Sequence, residues 1–207
     1  MTQKLLGNLS QGLLFVVSAP AGTGKTTLVR LLTKEFSCVV ESVSCTTRPP
    51  RAGEEEGKDY YFLTEEAFKE KKDKGDFLES AEVFGYLYGT SEALVEAKRK
   101  EGKHVILVID TQGAEFLQSI KFDAIYIFIA PPNLETLESR LLKRQTEDEE
   151  ERVKRLSWAH KEMEISSLYD YLIVNSDLEV AYQVLKSILI AEEHRIIKKK
   201  QEEYQPI

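Results

Sequence analysis

A glycine-rich turn between an apolar run and an amphipathic stretch constrains the fold of this chain more than any other feature. Residues 13–18 form a short apolar run typical of a buried strand, and residues 25–36 have the apolar spacing of a helix. The turn between them reads Ala-Pro-Ala-Gly-Thr-Gly-Lys-Thr. The order strand, glycine-rich turn, helix is the context in which such a turn binds phosphate.

This turn matches the phosphate-binding P-loop pattern, with alanine in place of the usual first glycine. Its two glycines let consecutive backbone N–H groups face a phosphate, and the helix N-terminus adds partial positive charge. Its lysine can reach the β- and γ-phosphates, and the threonine that follows can ligate Mg²⁺. The alternative is a turn without a ligand, but the flanking elements favour an ATP site formed by Ala19, Pro20, Ala21, Gly22, Thr23, Gly24, Lys25, Thr26 and Thr27.

Further apolar runs alternate with helical stretches along the chain. Strands are predicted at 39–43, 104–110, 124–130 and 171–175. Helices are predicted at 112–120, 134–142 and about 177–200. Because the apolar runs are continuous, the pattern predicts an α/β fold with a parallel sheet covered by helices on both faces. Two segments interrupt it: a polar one at 44–91, which predicts a small insertion, and an almost entirely charged one at 144–155.

Length and composition exclude several classes of protein. A chain of 207 residues can bury a core without disulfides or a structural metal. The net charge of −7 argues against a general nucleic-acid binder. The apolar runs are far shorter than the ~20 residues of a membrane span, and the first residues do not read as a secretion signal. We therefore expect a cytoplasmic location, with Cys38 and Cys45 as reduced thiols.

A second motif lies in the polar segment. Arg48 and Arg51 are three residues apart in a proline-stiffened loop, an arrangement suited to the oxygen pairs of a phosphate. A solvated basic turn is the alternative, since arginine is common on surfaces. The chain contains no Asn-Lys-x-Asp sequence, which a GTPase would use to recognise guanine.

Taken together, the motifs resemble those of guanylate kinases, which transfer the γ-phosphoryl group of ATP to GMP. The resemblance spans about residues 13–191. The motifs that carry it are Ser-Cys-Thr-Thr-Arg-Pro-Pro-Arg-Ala-Gly-Glu at 44–54, Gly-Lys-Asp-Tyr at 57–60, Tyr-Gly-Thr at 88–90, Asp-Thr-Gln-Gly at 110–113 and the arginines Arg140, Arg144 and Arg155. It implies a P-loop kinase core at 1–43 and 92–207, a small mixed α/β GMP-binding insertion at 44–91, and a mobile lid at about 140–156.

The resemblance also implies which residues bind the acceptor. They are Ser44, Arg48, Arg51, Glu54, Tyr60, Glu79, Tyr88, Thr90 and Asp110. The arginines and tyrosines would hold the phosphate, and Ser44, Glu79 and Thr90 would face guanine. Guanine offers two adjacent donors, N1–H and its exocyclic amine, and one carboxylate can accept both. For Glu79 taken alone, a solvated surface residue is the alternative.

Phosphoryl transfer to GMP requires positive charge more than a general base, because the acceptor phosphate is largely ionised at neutral pH. That charge would come from Mg²⁺, held by Thr26 and Asp110, and from Lys25, Arg48, Arg140, Arg144 and Arg155. Pairing with the acidic run at 147–151 is the alternative for Arg144 and Arg155. Two positions depart from the family pattern: Val108, where an aspartate is typical, and Gln145, where glycine is frequent.

Two rival functions remain open at this point. One is an interaction domain that has lost catalysis, which the intact Gly-Lys-Thr of the P-loop disfavours. The other is a P-loop kinase for a different phosphorylated acceptor, which Glu79 and the Tyr-Gly-Thr element disfavour. The expected partners are ATP and GMP, with no nucleic acid and no membrane, in a monomer or homodimer.

Overall fold

The computed structural model describes residues 3–20, 22–83, 85–142 and 162–196. The predictions for Ala21, Arg144, Gln145 and Arg155 lie outside the described residues. So do most of the predicted lid and the part of the C-terminal helix predicted beyond residue 196.

Strands and helices alternate through most of the chain. The strands are β1 Leu14–Ser18, β2 Val39–Glu41, β3 Cys45–Thr46, β4 Tyr61–Phe62, β5 Phe77–Val83, β6 Tyr86–Ser91, β7 His104–Val108, β8 Ile125–Ala130 and β9 Tyr171–Val174. The helices are α1 Lys25–Glu35, α2 Glu65–Asp73, α3 Glu92–Lys100, α4 Thr111–Ser119, α5 Leu134–Leu142, a 3₁₀ helix at Ile165–Leu168, and α6 Leu178–Glu193. The helices α2 and α3 were not among those predicted from the sequence.

Five strands form the central sheet in the order β2-β7-β1-β8-β9, and all of their pairings are parallel. Every residue of β1 is buried, as its continuous apolar sequence predicts for a central strand. One face of the sheet packs against α1 and α6, and the other against α3 and α4. The predicted parallel sheet with helices on both faces is confirmed. Ligands in such sheets bind at the carboxyl ends of the strands.

Three predicted ends lie two to seven residues beyond the observed ones. The strand predicted at 104–110 ends at Val108, because the Asp110 side chain accepts a hydrogen bond from the Gly113 amide and caps α4. The strand predicted at 39–43 ends at Glu41, and α6 ends at Glu193 rather than near residue 200.

The 44–91 segment contains a second, mixed sheet in the order β4-β3-β6-β5. β3 pairs parallel to β4 and antiparallel to β6, which in turn pairs antiparallel to β5. This sheet is anchored to the central one, because Leu78 of β5 packs in one apolar cluster with Ile109 and with Ala114 of α4. Strand β5 therefore lies directly against the start of α4.

A buried cluster of polar groups, the clasp, joins the segment at Gly7 and Asn8 to β7 and to the end of α6. His104 accepts a hydrogen bond from the Leu13 amide at Nδ1, so its Nε2 carries the proton and donates to Glu193. The Glu193 carboxylate also accepts from the backbone amides of Gly7 at 2.6 Å and Asn8 at 2.9 Å. Each oxygen of this buried carboxylate is hydrogen-bonded, as burial requires. Within the described residues, no helix has the length and apolarity needed to cross a membrane.

Candidate active site

The P-loop connects β1 to α1 at the carboxyl edge of the central sheet. Gly22 and Gly24 have φ values of 88° and 95°, in the left-handed region that glycine adopts without strain. Among the described residues, Lys121 is the one non-glycine with positive φ. Ala19 therefore has ordinary backbone geometry, and its methyl group is accommodated at the start of the loop.

The start of α1 is free to receive an anion. Its N-cap is Gly24, which provides no side-chain cap, and the first turn contains no acidic residue. The N-terminal amides and the helix dipole therefore favour a negative ligand here. Lys25 donates from Nζ to the Ala19 carbonyl, so its ammonium lies folded over the loop.

A residue distant in sequence supports the loop. Asn175, which follows β9, is buried and donates from Nδ2 to the Thr23 carbonyl at 2.7 Å. Thr23 is also buried, and its hydroxyl donates to the Pro20 carbonyl at 2.9 Å. A side chain at position 24 would collide with the Asn175 amide, since an ideal Cβ there lies 2.8 Å from Nδ2. Gly24 is thus required both by its φ and by this close approach.

A cavity of about 280 Å³ opens between the P-loop, the carboxyl end of β7 and the mixed sheet. It is lined by Ala19, Lys25, Thr26, Ser44, Arg51, Tyr60, Glu79, Ala81, Val83, Tyr88, Val108, Ile109, Asp110 and Glu162. The structure therefore brings donor-side and acceptor-side predictions together around a single space. The lining residues are spread along the chain from 19 to 162, so the cavity exists only in the folded protein.

Glu79 is an acidic group buried in this cavity, with 4% of its surface exposed. It lies on β5, and its Oε1 accepts a hydrogen bond from the Thr90 hydroxyl of β6 at 2.6 Å. Burial, with a smaller contribution from the nearby Asp110 charge, raises the pKa of Glu79 to about 7 despite the hydrogen bonds from Thr90, which lower it. A buried carboxylate of this kind gains most from a ligand that donates hydrogen bonds. The alternative of a solvated surface Glu79 is wrong.

Arg48 is held by protein atoms rather than exposed to the cavity. It is 7% exposed, and it donates from Nη2 to both Glu54 oxygens at 2.8 and 2.9 Å. It also donates from Nε to the Tyr88 hydroxyl at 3.2 Å and lies 5.3 Å from the centre of the Tyr60 ring. Arg51 differs, since it is exposed and lines the cavity. The two predicted phosphate-binding arginines therefore have different environments.

The residues that line the cavity near the end of β7 include Val108, Asp110 and Glu162. Asp110 caps α4 through Oδ1, and its Oδ2 accepts from Gln112 at 3.1 Å. Val108 lines the same space, so an apolar group faces the cavity at the position where the resemblance implies an aspartate. Glu162 lies here too and accepts a hydrogen bond from the Thr111 hydroxyl at 3.2 Å. Burial raises the pKa of both Asp110 and Glu162.

Not every predicted site residue reaches the cavity. Arg48, Glu54 and Thr90 act on lining residues from behind, and Thr27 lies exposed on the first turn of α1. Arg140 belongs to α5, and its side chain lies outside what the structure describes. Sequence reasoning assigned no role to Glu162, Gln112, Gly113 or Asn175. The Asp-Thr-Gln-Gly motif was a sequence signal for Gln112 and Gly113. Glu162 and Asn175 had no such signal, because a single glutamate or asparagine is common in helices and loops.

Comparison with known proteins decides the family. The sequence model described as "Guanylate kinase" matches residues 11–192. The chain belongs to the guanylate kinase family. It is 57% identical to the guanylate kinase of Protochlamydia amoebophila (strain UWE25) over 93% of this chain and 98% of that protein. It is 44% identical to the guanylate kinase of Thermotoga maritima over 90% of each chain.

A solved structure agrees with the sequence comparisons. The crystal structure of guanylate kinase from Anaplasma phagocytophilum matches with a TM-score of 0.73 and 36% identity, over 89% of this chain and 88% of that one. The family, the α/β P-loop kinase fold and the prediction of an enzyme with guanylate kinase activity are thereby confirmed. These matches favour guanylate kinase over both rivals, a P-loop kinase for a different phosphorylated acceptor and an interaction domain that has lost catalysis.

Proposed function

We propose that this chain transfers the γ-phosphoryl group of Mg²⁺-bound ATP to GMP, giving ADP and GDP. The observation that carries the proposal is the shared cavity, in which Lys25 of the P-loop and Glu79 of the mixed sheet face the same space. A phosphate-binding group and a guanine-binding group that border one cavity can hold donor and acceptor close together. Positioning of this kind supplies a large part of the rate in phosphoryl transfer.

On the donor side, the uncapped start of α1 and the curled backbone at Gly22 and Gly24 receive the ATP phosphates. Lys25 exchanges the Ala19 carbonyl for phosphate oxygens when the nucleotide binds. An ammonium group that hydrogen-bonds the loop beforehand is already positioned, which lowers the entropy lost on binding.

On the acceptor side, Arg51, Tyr60 and Tyr88 line the cavity and hold the GMP phosphate. Arg51 makes the direct charge contact. Arg48 orients the two tyrosines, and Glu54 holds Arg48 through its paired hydrogen bonds. The predicted GMP-binding role of Glu54 thus becomes an indirect one.

Guanine binds at the other end of the cavity. Ionised Glu79 accepts hydrogen bonds from N1–H and the exocyclic amine, and Thr90 fixes the carboxylate from behind. Adenine presents a different edge and would leave the buried carboxylate unpaired, which makes AMP a poor acceptor. Ser44 also lines the cavity.

The residues around the cavity fit Mg²⁺, which prefers hard oxygen ligands and keeps several waters. Thr26 offers a hydroxyl oxygen, and Asp110 and Glu162 offer carboxylates whose raised pKa values a cation would lower. The described residues contain no group of three or more His, Cys, Asp or Glu able to hold a metal on their own. Thr26, Asp110 and Glu162 would hold the ion together with the ATP phosphates, and it would supply positive charge that neutralises those phosphates.

No residue has to remove a proton from the acceptor, since a phosphate oxygen with a second pKa of about 6 is mostly ionised at neutral pH. The chain's contribution is to hold the two phosphates in line and to neutralise their charge with Lys25 and Arg51, together with Arg140, Arg144 and Arg155 of the predicted lid. Cytoplasmic location, oligomeric state and lid motion stay predictions.

A coupled assay that detects ADP tests the proposal, with ATP as donor and GMP, AMP, UMP or CMP as acceptor. We expect turnover with GMP at least a hundredfold above that with AMP. Equal turnover with all four acceptors, or none with GMP, would contradict the proposal. A ribose bisphosphate in the same assay tests the remaining rival acceptor, and its turnover in place of GMP would favour that rival.

A further inference from the structure

Gly113 occupies an unusual place for a glycine. It lies inside α4 and is buried, and its φ is not among the positive values found for eight other glycines. Glycine is the poorest helix former after proline, and no left-handed conformation requires it here. Its missing side chain therefore needs another explanation.

The space above Gly113 is filled by the guanine-facing carboxylate. An ideal Cβ at position 113 would lie 2.6 Å from Oε2 of Glu79, 3.2 Å from its Cδ and 3.3 Å from Cδ1 of Ile109. Cβ contacts below 3.0 Å are essentially never seen in proteins. The Glu79 carboxyl group thus rests directly on the glycine surface of α4.

The carboxylate is fixed from the other side as well. Thr90 donates to Oε1 at 2.6 Å, and Glu79 is almost completely buried. A methyl group at position 113 would push Oε2 away from α4, and the whole carboxyl group would turn or retreat. The fold can absorb that movement, because the displaced atoms are the end of a flexible side chain. The hydrogen bonds from Glu79 to guanine, however, would be lost or weakened by the same movement.

We propose that Gly113 is a positioning residue for guanine recognition, whose missing Cβ lets Glu79 hold its carboxylate against α4 where it can accept both guanine donors. This inference rests on the proposed function, because it assigns Glu79 to guanine. It explains the glycine of the Asp-Thr-Gln-Gly motif by contact with a residue 34 positions earlier in the chain.

The test compares Gly113→Ala with wild type, using GMP and IMP as acceptors. IMP lacks the 2-amino group, so it probes one of the two hydrogen bonds. We expect Gly113→Ala to raise KM for GMP by roughly ten- to a hundredfold, as for the loss of a charge-assisted hydrogen bond. We expect KM for ATP to change less than about twofold, and the preference for GMP over IMP to fall by about tenfold.

Glu115→Ala is the matched control, since it adds the same residue to an exposed site on the same helix. We expect it to leave every one of these parameters unchanged. If wild type phosphorylates GMP and Gly113→Ala keeps its KM and its preference, the inference is wrong while the proposed function stands. A wild type that does not phosphorylate GMP would overturn both.

A double variant keeps the test decisive if Gly113→Ala folds poorly. Removing the carboxylate in Gly113→Ala/Glu79→Ala takes away the atoms that the methyl group would meet. We expect the melting temperature of the double variant to match that of Glu79→Ala. If the double variant is as unstable as Gly113→Ala alone, the glycine serves the helix and not Glu79, and the inference is overturned.

Discussion

At the scale of single residues, the site depends on side chains whose charge is set by burial and by partners already in place. Glu79 loses hydration without gaining a cation, so its ionisation is poised near neutral pH. Arg48 has the opposite environment, since Glu54 neutralises it inside the same mixed sheet. We therefore expect pH changes to alter the charge of Glu79 near neutral pH, and mutation of Arg48 or Glu54 to disturb a neutralised pair.

Guanine binding should follow the ionisation of Glu79. Its pKa of about 7 means that protonation below that pH removes an acceptor, so we expect KM for GMP to rise as pH falls from 8 to 6. The GMP phosphate also titrates, near pH 6. Glu79→Gln is the control, because its profile retains only the phosphate step. A wild-type profile identical to that of Glu79→Gln would contradict the assignment.

The same group predicts a pH effect on folding. A carboxyl group whose pKa is raised in the folded state binds more protons there, so it costs stability as pH rises from 4.5 to about 7. We expect Glu79→Gln to stabilise the unliganded protein at pH 8, by up to about 3 kcal/mol, and much less at pH 4.5. Denaturant unfolding at both pH values measures the free energy of unfolding. If Glu79→Gln changed it equally at pH 8 and pH 4.5, the raised pKa of Glu79 would be contradicted.

The two acceptor arginines should separate in their effects. Arg51→Ala removes an exposed cation and should raise KM for GMP by roughly 30-fold with little change in melting temperature. Arg48→Ala should also lower stability by roughly 2–3 kcal/mol, because Glu54 loses the guanidinium that neutralises it and keeps only the hydrogen bond from the Arg51 amide. Arg48→Ala/Glu54→Ala should recover part of that loss. Equal effects of Arg48→Ala and Arg51→Ala on melting temperature would contradict a structural role for Arg48 that Arg51 lacks.

At the scale of elements, the active site lies where the starts of two helices meet the carboxyl edge of the central sheet. α1 begins at the P-loop, and α4 begins at Thr111 with Asp110 as its N-cap, shortly after β7 ends at Val108. The first turn of α1 is left open for phosphate, whereas that of α4 is capped by Asp110 and covered by Glu79. Each helix start thus has a separate task, one for the donor and one for the acceptor.

The P-loop lysine should matter for chemistry and not for folding. We expect Lys25→Ala to lower kcat by at least roughly 10²–10³-fold, since it removes charge from the transferring phosphates. Lys34→Ala on the exposed end of the same helix is the control and should keep wild-type turnover. Near wild-type turnover of Lys25→Ala, in a protein with a wild-type circular dichroism spectrum, would remove the P-loop from the mechanism.

The connection between β9 and α6 should influence ATP binding through Asn175. Asn175→Asp keeps the shape but replaces the donor to the Thr23 carbonyl with an acceptor, so the loop loses its support. We expect a rise in KM for ATP of roughly tenfold with KM for GMP unchanged. Ser176→Ala, at the exposed neighbouring position, should have no effect. A parallel rise in both KM values would argue for a general loss of structure instead.

At the scale of the whole molecule, the N-terminal segment is joined to α6 at the amino end of β7, opposite the edge of the sheet that holds the site. Glu193 at the end of α6 binds the amides of Gly7 and Asn8 and pairs with His104 of β7. Burial opposes its charge, but these hydrogen bonds outweigh that cost and hold the pKa of Glu193 below its ordinary value. The clasp therefore links the N-terminal segment, the central sheet and the C-terminal helix.

Because of the clasp, the free energy of unfolding should fall at acidic pH. Since the pKa of Glu193 is lowered in the folded state, its contribution is complete above about pH 4.5 and is lost as pH falls through the folded value. We expect Glu193→Gln to cost roughly 1–3 kcal/mol at pH 7, and the difference from wild type to shrink below pH 4.5. Glu179→Gln on the same helix is the control. A constant difference at all pH values would contradict this account.

The sequence by itself determined what depends on local order. The P-loop, the strand before it and the helix after it are neighbours along the chain, so apolar spacing and glycine placement sufficed to predict them. The parallel sheet followed from the continuous apolar runs. Helix α2 escaped prediction because Phe68 is its one buried residue, and a short polar helix leaves a weak periodic signal.

Only the tertiary structure decided which distant residues meet. Glu162 lines the cavity near Asp110, Asn175 supports Thr23, and Glu79 rests on Gly113. It also decided that Arg48 faces Glu54 while Arg51 faces the cavity, although both lie in one loop. Sequence spacing carries information about neighbours on one helix or strand. Contacts between residues 34 to 152 positions apart depend instead on how the two sheets pack against α4 and the P-loop, and no local pattern encodes that packing.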